Sequence, residues 1–230
     1  MQPFVDNLKF LFALKGLDRH VIAPKLGCTP ADLTNWMDGS AEPNLQQLLT
    51  LAATFQVSVD RFLKRDLTNR AKAADIKLLV LDVDGVLTDG GIYLTEKGDE
   101  IKKFHARDGR GIMTAQKRGI EVAFLSGGQH SVAVAARAER LGIKRWYVGR
   151  TAKTIILEDW LATSKLSYDQ VAYIGDDAND LGVIAKAGLT ACPADAATNN
   201  RESVDIILNL SGGQGCVREF IEEHLGIEVD

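Results

Sequence analysis

The sequence predicts an α/β protein in two parts, a small all-α domain over residues 1–68 and a parallel sheet covered by helices over residues 76–230. Three observations predict it. The first 68 residues show helical spacing of apolar residues and no β alternation. From Lys77 onward, short apolar strands alternate with helical segments, as in strand–helix–strand units. Acidic side chains gather where those strands end, the edge at which such sheets bind ligands.

Composition bounds the function. The 230 residues are 46% apolar and 25% charged, the balance of a globular protein with a sizeable core. The net charge of −4 argues against a polyanion as partner of the whole chain. No apolar run approaches the ~18 residues of a membrane span, and "MQPFVDNLKF" does not read as a secretory leader. Cys28, Cys192 and Cys216 are scattered and odd in number, so they are read as reduced thiols of a cytoplasmic protein.

The elements follow in order. "PFVDNLKFLFALKGL" places apolar residues on one helical face and stops at Gly16. "DRHVIAPKLG" opens on Asp18 as N-cap, with Pro24 expected to bend it. "TPADLTNWMDG" has Thr29 as N-cap and Pro30 at the first helical position. "NLQQLLTLAATFQ" and "SVDRFLKRDL" complete five helices, and "LTNRAKAAD" (67–75) reads as a linker. Next come the strand "KLLVLDV", a hairpin turning at Lys97–Gly98–Asp99, the helix "GIMTAQKRG" and the strand "IEVAFLS". The helix "SVAVAARAERLG", the strand "RWYVG", the helix "AKTIILEDWLATS", the strand "QVAYIGD" and the helix "ANDLGVIAKAG" follow. Short strands near Leu189 and Ile206 and the helix "GCVREFIEEHLG" end the chain.

The strand ends define the chemistry. The first delivers Asp82 and Asp84, which as i and i+2 of an extended segment point the same way. The next delivers Ser126 and Gly127, the third is followed by Lys153, and the fourth delivers Asp176 and Asp177 with Asp180 one turn on. Carboxylates crowded in a cleft repel unless a cation joins them. Hard oxygen ligands without soft ones suggest Mg²⁺, whose shell is completed by water and a phosphate oxygen. Ser126, the glycine amides and Lys153 supply what a phosphate needs on its other sides. An aspartate can then attack phosphorus and form an aspartyl-phosphate.

"DVDGVLTDG", "LSGG", Lys153 and "GDDAND" resemble, in order and spacing, the four motifs of the haloacid dehalogenase superfamily over residues 76–230. The resemblance implies a Rossmann-like sheet, Asp82 as nucleophile and Asp84 as general acid/base, with Ser126 and Lys153 binding the phosphoryl group. It implies Mg²⁺ held by Asp82, Asp176 and the backbone carbonyl of Asp84, with Asp177 and Asp180 supporting the metal site. Only 44 positions separate Asp82 from Ser126, too few for the family's large cap. That is similar to the capless subgroup containing the 3-deoxy-D-manno-octulosonate 8-phosphate phosphatases and the phosphatases of nine-carbon sialic-type sugars.

The subgroup implies a homotetramer whose neighbouring subunit closes the site, with "GGQGCVREFIEEHLG" resembling the glycine-rich segment projected toward an adjacent site. By position, His105, Arg107, Asp108 and Gly109 match its substrate-contacting loop, and Arg137 an arginine that handles the acidic sugar. Arg218 joins them as a substrate-binding candidate. Arg107 and Asp108 also read as a helix cap, and Arg137 and Arg218 as solvated helix charges. The chain departs from the subgroup at Gly128 and Gln129, where an arginine is usual, at His105 in place of asparagine and at Met113 in place of arginine. Arginine is the fork that grips carboxylate and phosphate, so these departures touch the choice of sugar acid and not the phosphoryl chemistry.

Residues 4–66 resemble the Cro/repressor-type helix-turn-helix in the placing of Ala23, Leu26, Gly27, Thr29, Leu33, Trp36, Gly39 and Pro43. In that family "TPADLTNWM" enters the DNA major groove. Residues 1–70 carry eight Lys/Arg against seven Asp/Glu, and the reading helix offers Asp32 and Asp38 with no Arg or Lys. Thr29, Thr34 and Asn35 are its candidates for bases or phosphates, and Lys9, Arg19 and Lys25 for the DNA backbone. DNA binders concentrate positive charge, so an accessory helical module is favoured over a DNA-reading one. Two functions result: an Mg²⁺-dependent phosphatase of an acidic sugar phosphomonoester, and, as the alternative, a DNA-binding regulator whose phosphatase-like domain senses a sugar phosphate.

Overall fold

The computed structural model describes residues 2–55, 57, 59–64, 75–129 and 132–229. The linker expected over 67–75, Asp75 apart, and Ser131, expected to open a helix, lie outside the described residues. The chain forms two compact units, Met1–Ala71 and Lys72–Asp230.

The first unit is helical: α1 (Gln2–Leu14), α2 (Arg19–Ile22), α3 (Pro30–Asp38), α4 (Leu45–Phe55) and α5 (Val59–Lys64). Its core joins Phe4, Leu8, Leu11, Leu33, Trp36, Leu51, Phe55 and Phe62. Asp18 accepts the His20 N–H and starts α2, but the helix tightens to a 3₁₀ turn over Ala23–Leu26. Pro24 is the cause, since it has no N–H to donate. A capping box opens α3: Thr29 N–H donates to Asp32 Oδ2 at 2.8 Å and Asp32 N–H to Thr29 Oγ1 at 3.2 Å.

The second unit carries a six-stranded parallel sheet in the order β5-β4-β1-β6-β7-β8. The strands are β1 (Leu78–Leu81), β4 (Glu121–Ser126), β5 (Arg145–Val148), β6 (Val171–Ile174), β7 (Leu189–Cys192) and β8 (Ile206–Ile207). A separate antiparallel hairpin, β2 (Tyr93–Leu94) and β3 (Glu100–Ile101), pairs Tyr93 with Ile101 and Leu94 with Glu100. The helices are α6 (Ala106–Lys117), α7 (Val132–Arg140), α8 (Lys153–Ser164), α9 (Leu181–Ile184), α10 (Thr198–Ser203) and α11 (Cys216–Glu219).

Both faces of the sheet are buried, which is why β1 reads as an unbroken apolar run. Leu79 and Leu81 enter one core with Phe124, Ile112 and Val217, while Leu78 and Val80 enter another with Leu125, Leu157, Leu161 and Val183. The chain runs from β1 out to β4 and β5, then returns to β6 on the other side of β1. Connections diverge beside β1, so its carboxyl end opens on a crevice. No helix among the described residues is long and apolar enough to cross a membrane.

One expectation is corrected. The stretch 105–110, read as a loop ahead of its helix, is the start of α6, with His105 at the N-cap. Gly109 and Gly111 look like helix breakers but serve close packing. A Cβ at Gly109 would press on the Arg137 guanidinium, and one at Gly111 on Arg218 and Ile221.

Candidate active site

Because β1 lies between β4 and β6, the segments leaving these three strands meet. Asp82 follows β1 and is 4% exposed. Its Oδ1 accepts the Val83 N–H at 2.7 Å and lies 2.8 Å from Lys153 Nζ. Lys153 opens α8, and its Nζ also reaches Asp180 Oδ1 at 2.5 Å. Burial opposes the charge on Lys153, but the Asp82 and Asp180 carboxylates outweigh it and hold the ammonium above the usual lysine value. Burial pushes the Asp82 carboxyl well up, the Asp180 charge adds to this, and Lys153 opposes it.

Asp180, fully buried, is saturated by donors. Its Oδ1 takes Lys153 and the Tyr173 hydroxyl, and its Oδ2 takes the N–H groups of Asp176 at 2.8 Å and Asp177 at 3.2 Å. Asp180 thereby fixes the turn that carries both acids. Asp177 Oδ1 caps that turn by accepting the Ala178 N–H at 2.8 Å. Asp176 differs: its Oδ1 is buried and accepts no hydrogen bond. Burial first and the Asp180 charge second push its carboxyl up to about 6.

These acids fit a hard cation. Carboxylate oxygens of Asp82, Asp176 and Asp180 lie within 4.8 Å of one another. With Asp180 saturated, Asp82 and the orphaned oxygen of Asp176 are the side-chain ligands left, and an all-oxygen set suits Mg²⁺. Gly85 enforces the geometry. Its φ of +82° belongs to the left-handed region, and a Cβ there would collide with the Asp176 carboxylate.

Ser126 ends β4 on the opposite wall, 1% exposed. Its Oγ accepts the Gly128 N–H at 3.0 Å and donates to Asp84 Oδ2 at 3.4 Å. Asp82, Asp84, Ser126, Gly127, Asp176 and Asp177 together line a pocket of about 250 Å³. Lys153 and Asp180 sit buried beneath it.

The remaining candidates form a second group around the start of α6, apart from the residues lining that pocket. Asp108, 1% exposed, accepts the Arg218 N–H on Oδ1 at 2.8 Å and so ties α6 to the start of α11. Burial pushes its carboxyl up to about 6 against the pull of that N–H, His105 and Arg137. Arg137 donates to the His105 carbonyl at 3.1 Å and lies over the Phe104 ring, with Gly109 beside it. The Arg218 guanidinium pairs with Glu222 at 2.7 Å and the Val229 carbonyl at 2.8 Å. Arg107 and Arg218 line a separate pocket of about 630 Å³ with Arg110. The glycine-rich segment packs on the chain's own loop after β1, Gly213 N–H donating to Val86 O at 2.9 Å.

Sequence reasoning missed three residues. Tyr173, inside "VAYIGD", reads as a core residue, yet its hydroxyl completes Asp180. Asn179 stands beside Gly127 on the pocket wall. Lys102 pairs with Asp84, but in "IKKF" it reads as one of two solvated charges.

The fold and the site define a phosphohydrolase of the haloacid dehalogenase class without a large cap, the short hairpin standing where a cap would be. No family model matches the chain. The 3-deoxy-D-manno-octulosonate 8-phosphate phosphatase KdsC of Escherichia coli (strain K12) is 43% identical over 152 residues, 66% of this chain and 80% of the relative. The structure of a probable YrbI family phosphatase from Pseudomonas syringae superposes with a TM-score of 0.66 at 44% identity, covering 69% of this chain and 89% of that one. That of the Moraxella catarrhalis 3-deoxy-D-manno-octulosonate 8-phosphate phosphatase, in complex with magnesium, phosphate and KDO, gives 0.65 at 33% identity, covering 70% and 91%. The chain belongs to the KdsC family of phosphatases within the haloacid dehalogenase superfamily.

Proposed function

We propose that this chain is an Mg²⁺-dependent phosphatase of a small acidic sugar, 3-deoxy-D-manno-octulosonate 8-phosphate or a nine-carbon sialic-type sugar 9-phosphate. The observation that carries it is the polarity of Asp82: both of its donors, Lys153 and Val83 N–H, converge on Oδ1. Oδ2 is then the oxygen left to attack phosphorus. In the first step Asp82 forms the O–P bond, the P–O bond to the sugar breaks, and Asp84 gives the leaving oxygen its proton. In the second, Asp84 takes a proton from water, the water oxygen attacks phosphorus, and phosphate leaves Asp82. Ser126, Lys153 and the Gly127 N–H bind the phosphoryl oxygens, while the Gly128 N–H holds Ser126 Oγ in place. Asp82, Asp176 and the Asp84 carbonyl would hold Mg²⁺, which when bound offsets the negative charge gathered on carboxylates and phosphoryl group. Asp177 and Asp180 support that site.

Residues around α6, His105, Arg107, Asp108, Gly109, Arg137 and Arg218, are assigned to the sugar side, by resemblance. The same resemblance makes the protein a homotetramer, in keeping with the exposed apolar residues Ile92, Tyr93, Leu94 and Ile101 on the hairpin. We read the front unit as a Cro/repressor-type helix-turn-helix serving as an accessory module. Its α3 supports this over DNA reading: Asp32 is spent on the cap, Thr34 accepts from Arg19 at 3.0 Å, and both Asp32 and Asp38 are held below the usual carboxylate range by hydrogen bonds from Thr29 and Ser40. A gel shift at two salt concentrations tests this, since true phosphate contacts give steep salt dependence.

The functional test is phosphate release with Mg²⁺ from eight- and nine-carbon sugar-acid phosphates and neutral hexose phosphates, with Asp82→Asn alongside. Selective turnover of one acidic sugar phosphate, lost in the variant, is expected. Turnover retained by Asp82→Asn would overturn the mechanism, and no turnover across the panel would move the reading to the regulator.

A further inference from the structure

Lys102, directly after β3, is an oddity among surface charges. Its side chain is 5% exposed, and lysines are that deeply buried only when paired. Two carboxylates pair it. Its Nζ donates to Asp84 Oδ1 and, at 2.6 Å, to Glu100 Oε1. The next residue, Lys103, pairs with Asp89 Oδ2 at 2.6 Å, so consecutive lysines tie the hairpin to two acids of the loop after β1. The Lys103 side chain is 56% exposed, and such a surface pair contributes little. The buried Lys102 pair is the stronger constraint.

Its consequence falls on Asp84, whose side chain is 41% exposed. With Oδ1 fixed by Lys102, Oδ2 is turned toward Ser126 Oγ, on the side where Gly128 stands. That is the pocket side. Glu100 balances the ammonium, so Lys102 does not present a free cation to phosphate or to the sugar carboxylate. We propose that Lys102 is a positioning residue that presents Asp84 Oδ2 to the leaving oxygen, which makes the β2–β3 hairpin part of the acid–base apparatus. This rests on the reading of Asp84 as general acid. In the step concerned, the sugar oxygen leaves phosphorus with the bonding electron pair and takes the proton from Oδ2, and Asp84 is left as a carboxylate.

Leaving groups separate positioning from a structural role. A sugar alkoxide needs a proton to leave, whereas p-nitrophenolate leaves without one. The full-length protein with Mg²⁺ is assayed for kcat/KM on its sugar phosphate and on p-nitrophenyl phosphate, as wild type and as Lys102→Met. The fall for the sugar phosphate is expected to exceed that for p-nitrophenyl phosphate by roughly 10-fold or more, within the span of general acid catalysis. Equal falls on both substrates, or a rise in KM for the sugar phosphate alone with kcat kept, would overturn the proposal. If Lys102→Met does not fold, Lys102→Arg carries the test, since a displaced cation moves the Asp84 carboxyl: the same asymmetry, smaller, is expected, and equal falls overturn it. A wild type that turns over neither substrate would instead overturn the phosphatase reading.

Discussion

Lys153 Nζ stands 2.8 Å from Asp82 Oδ1 and 2.5 Å from Asp180 Oδ1, so one buried ammonium joins Asp82 to the residue that fixes the turn carrying Asp176 and Asp177. Exposure is 3% for the lysine side chain and 0% for Asp180, so water does not share the load. Removing the lysine leaves two buried carboxylates facing each other. Lys153→Met is expected to lose about 3–5 kcal/mol of stability, the cost of breaking a buried pair from one side. Urea unfolding followed by far-UV circular dichroism checks this, and a loss under about 1 kcal/mol would show that the carboxylates are neutralised some other way.

Mg²⁺ binding should be visible without any substrate. A cation that binds only the folded carboxylates raises the melting temperature, by mass action worth about 2.7 kcal/mol at a hundredfold excess over its dissociation constant. Asp176→Asn is expected to shrink that rise, because Asp176 supplies the buried oxygen with no protein donor. Scanning calorimetry with and without millimolar Mg²⁺, and after EDTA, reads it directly. An unchanged rise in the variant would place the cation elsewhere.

Gly85→Ala tests the same oxygen from the other side. The added methyl meets the Asp176 carboxylate at a position where φ is +82°. Backbone strain alone costs about 1–3 kcal/mol. The expected result is a comparable fall in stability together with a weakened Mg²⁺ response. A destabilised variant with an unaltered Mg²⁺ response would mean that the loop moves away and Asp176 stays.

Asp108 predicts a pH dependence. Burial raises its carboxyl to about 6, so the folded state disfavours the charged form. Its contribution to stability is greatest below about 4, the unfolded value, and is lost as pH rises through about 6. Asp108→Asn keeps an acceptor for the Arg218 N–H and does not titrate. Wild-type stability relative to the variant is expected to fall by up to about 3 kcal/mol between pH 4 and pH 7. Urea midpoints of both proteins across that range check it, and parallel curves would show a carboxyl that titrates as in water.

The sequence carried the parallel sheet and the grouping of Asp82, Asp84, Ser126 and Asp176 because strand ends and short-range spacing determine both. The start of α6 was misread because glycine is a poor helix former in isolation, and only the approach of Arg137, Arg218 and Ile221 shows why Gly109 and Gly111 stand there. Lys102 escaped notice because its burial depends on a hairpin folding back over Asp84 from 18 residues away. Asp108 was legible as a helix cap, but the helix whose N–H it accepts lies 110 residues on. Local pattern reports local partners, and these groups have distant ones.

The hairpin has a grip at its base and freedom at its tip. Lys102 and Lys103 anchor the return strand, while bonds between Thr95, Gly98 and Asp99 close the turn; a Cβ at Gly98 would meet nothing within 4 Å, although its φ of +84° favours glycine. The tip is thus a natural point of growth. Residues inserted between Thr95 and Asp99 would lengthen the hairpin while leaving the Lys102–Asp84 and Lys103–Asp89 pairs at its base intact.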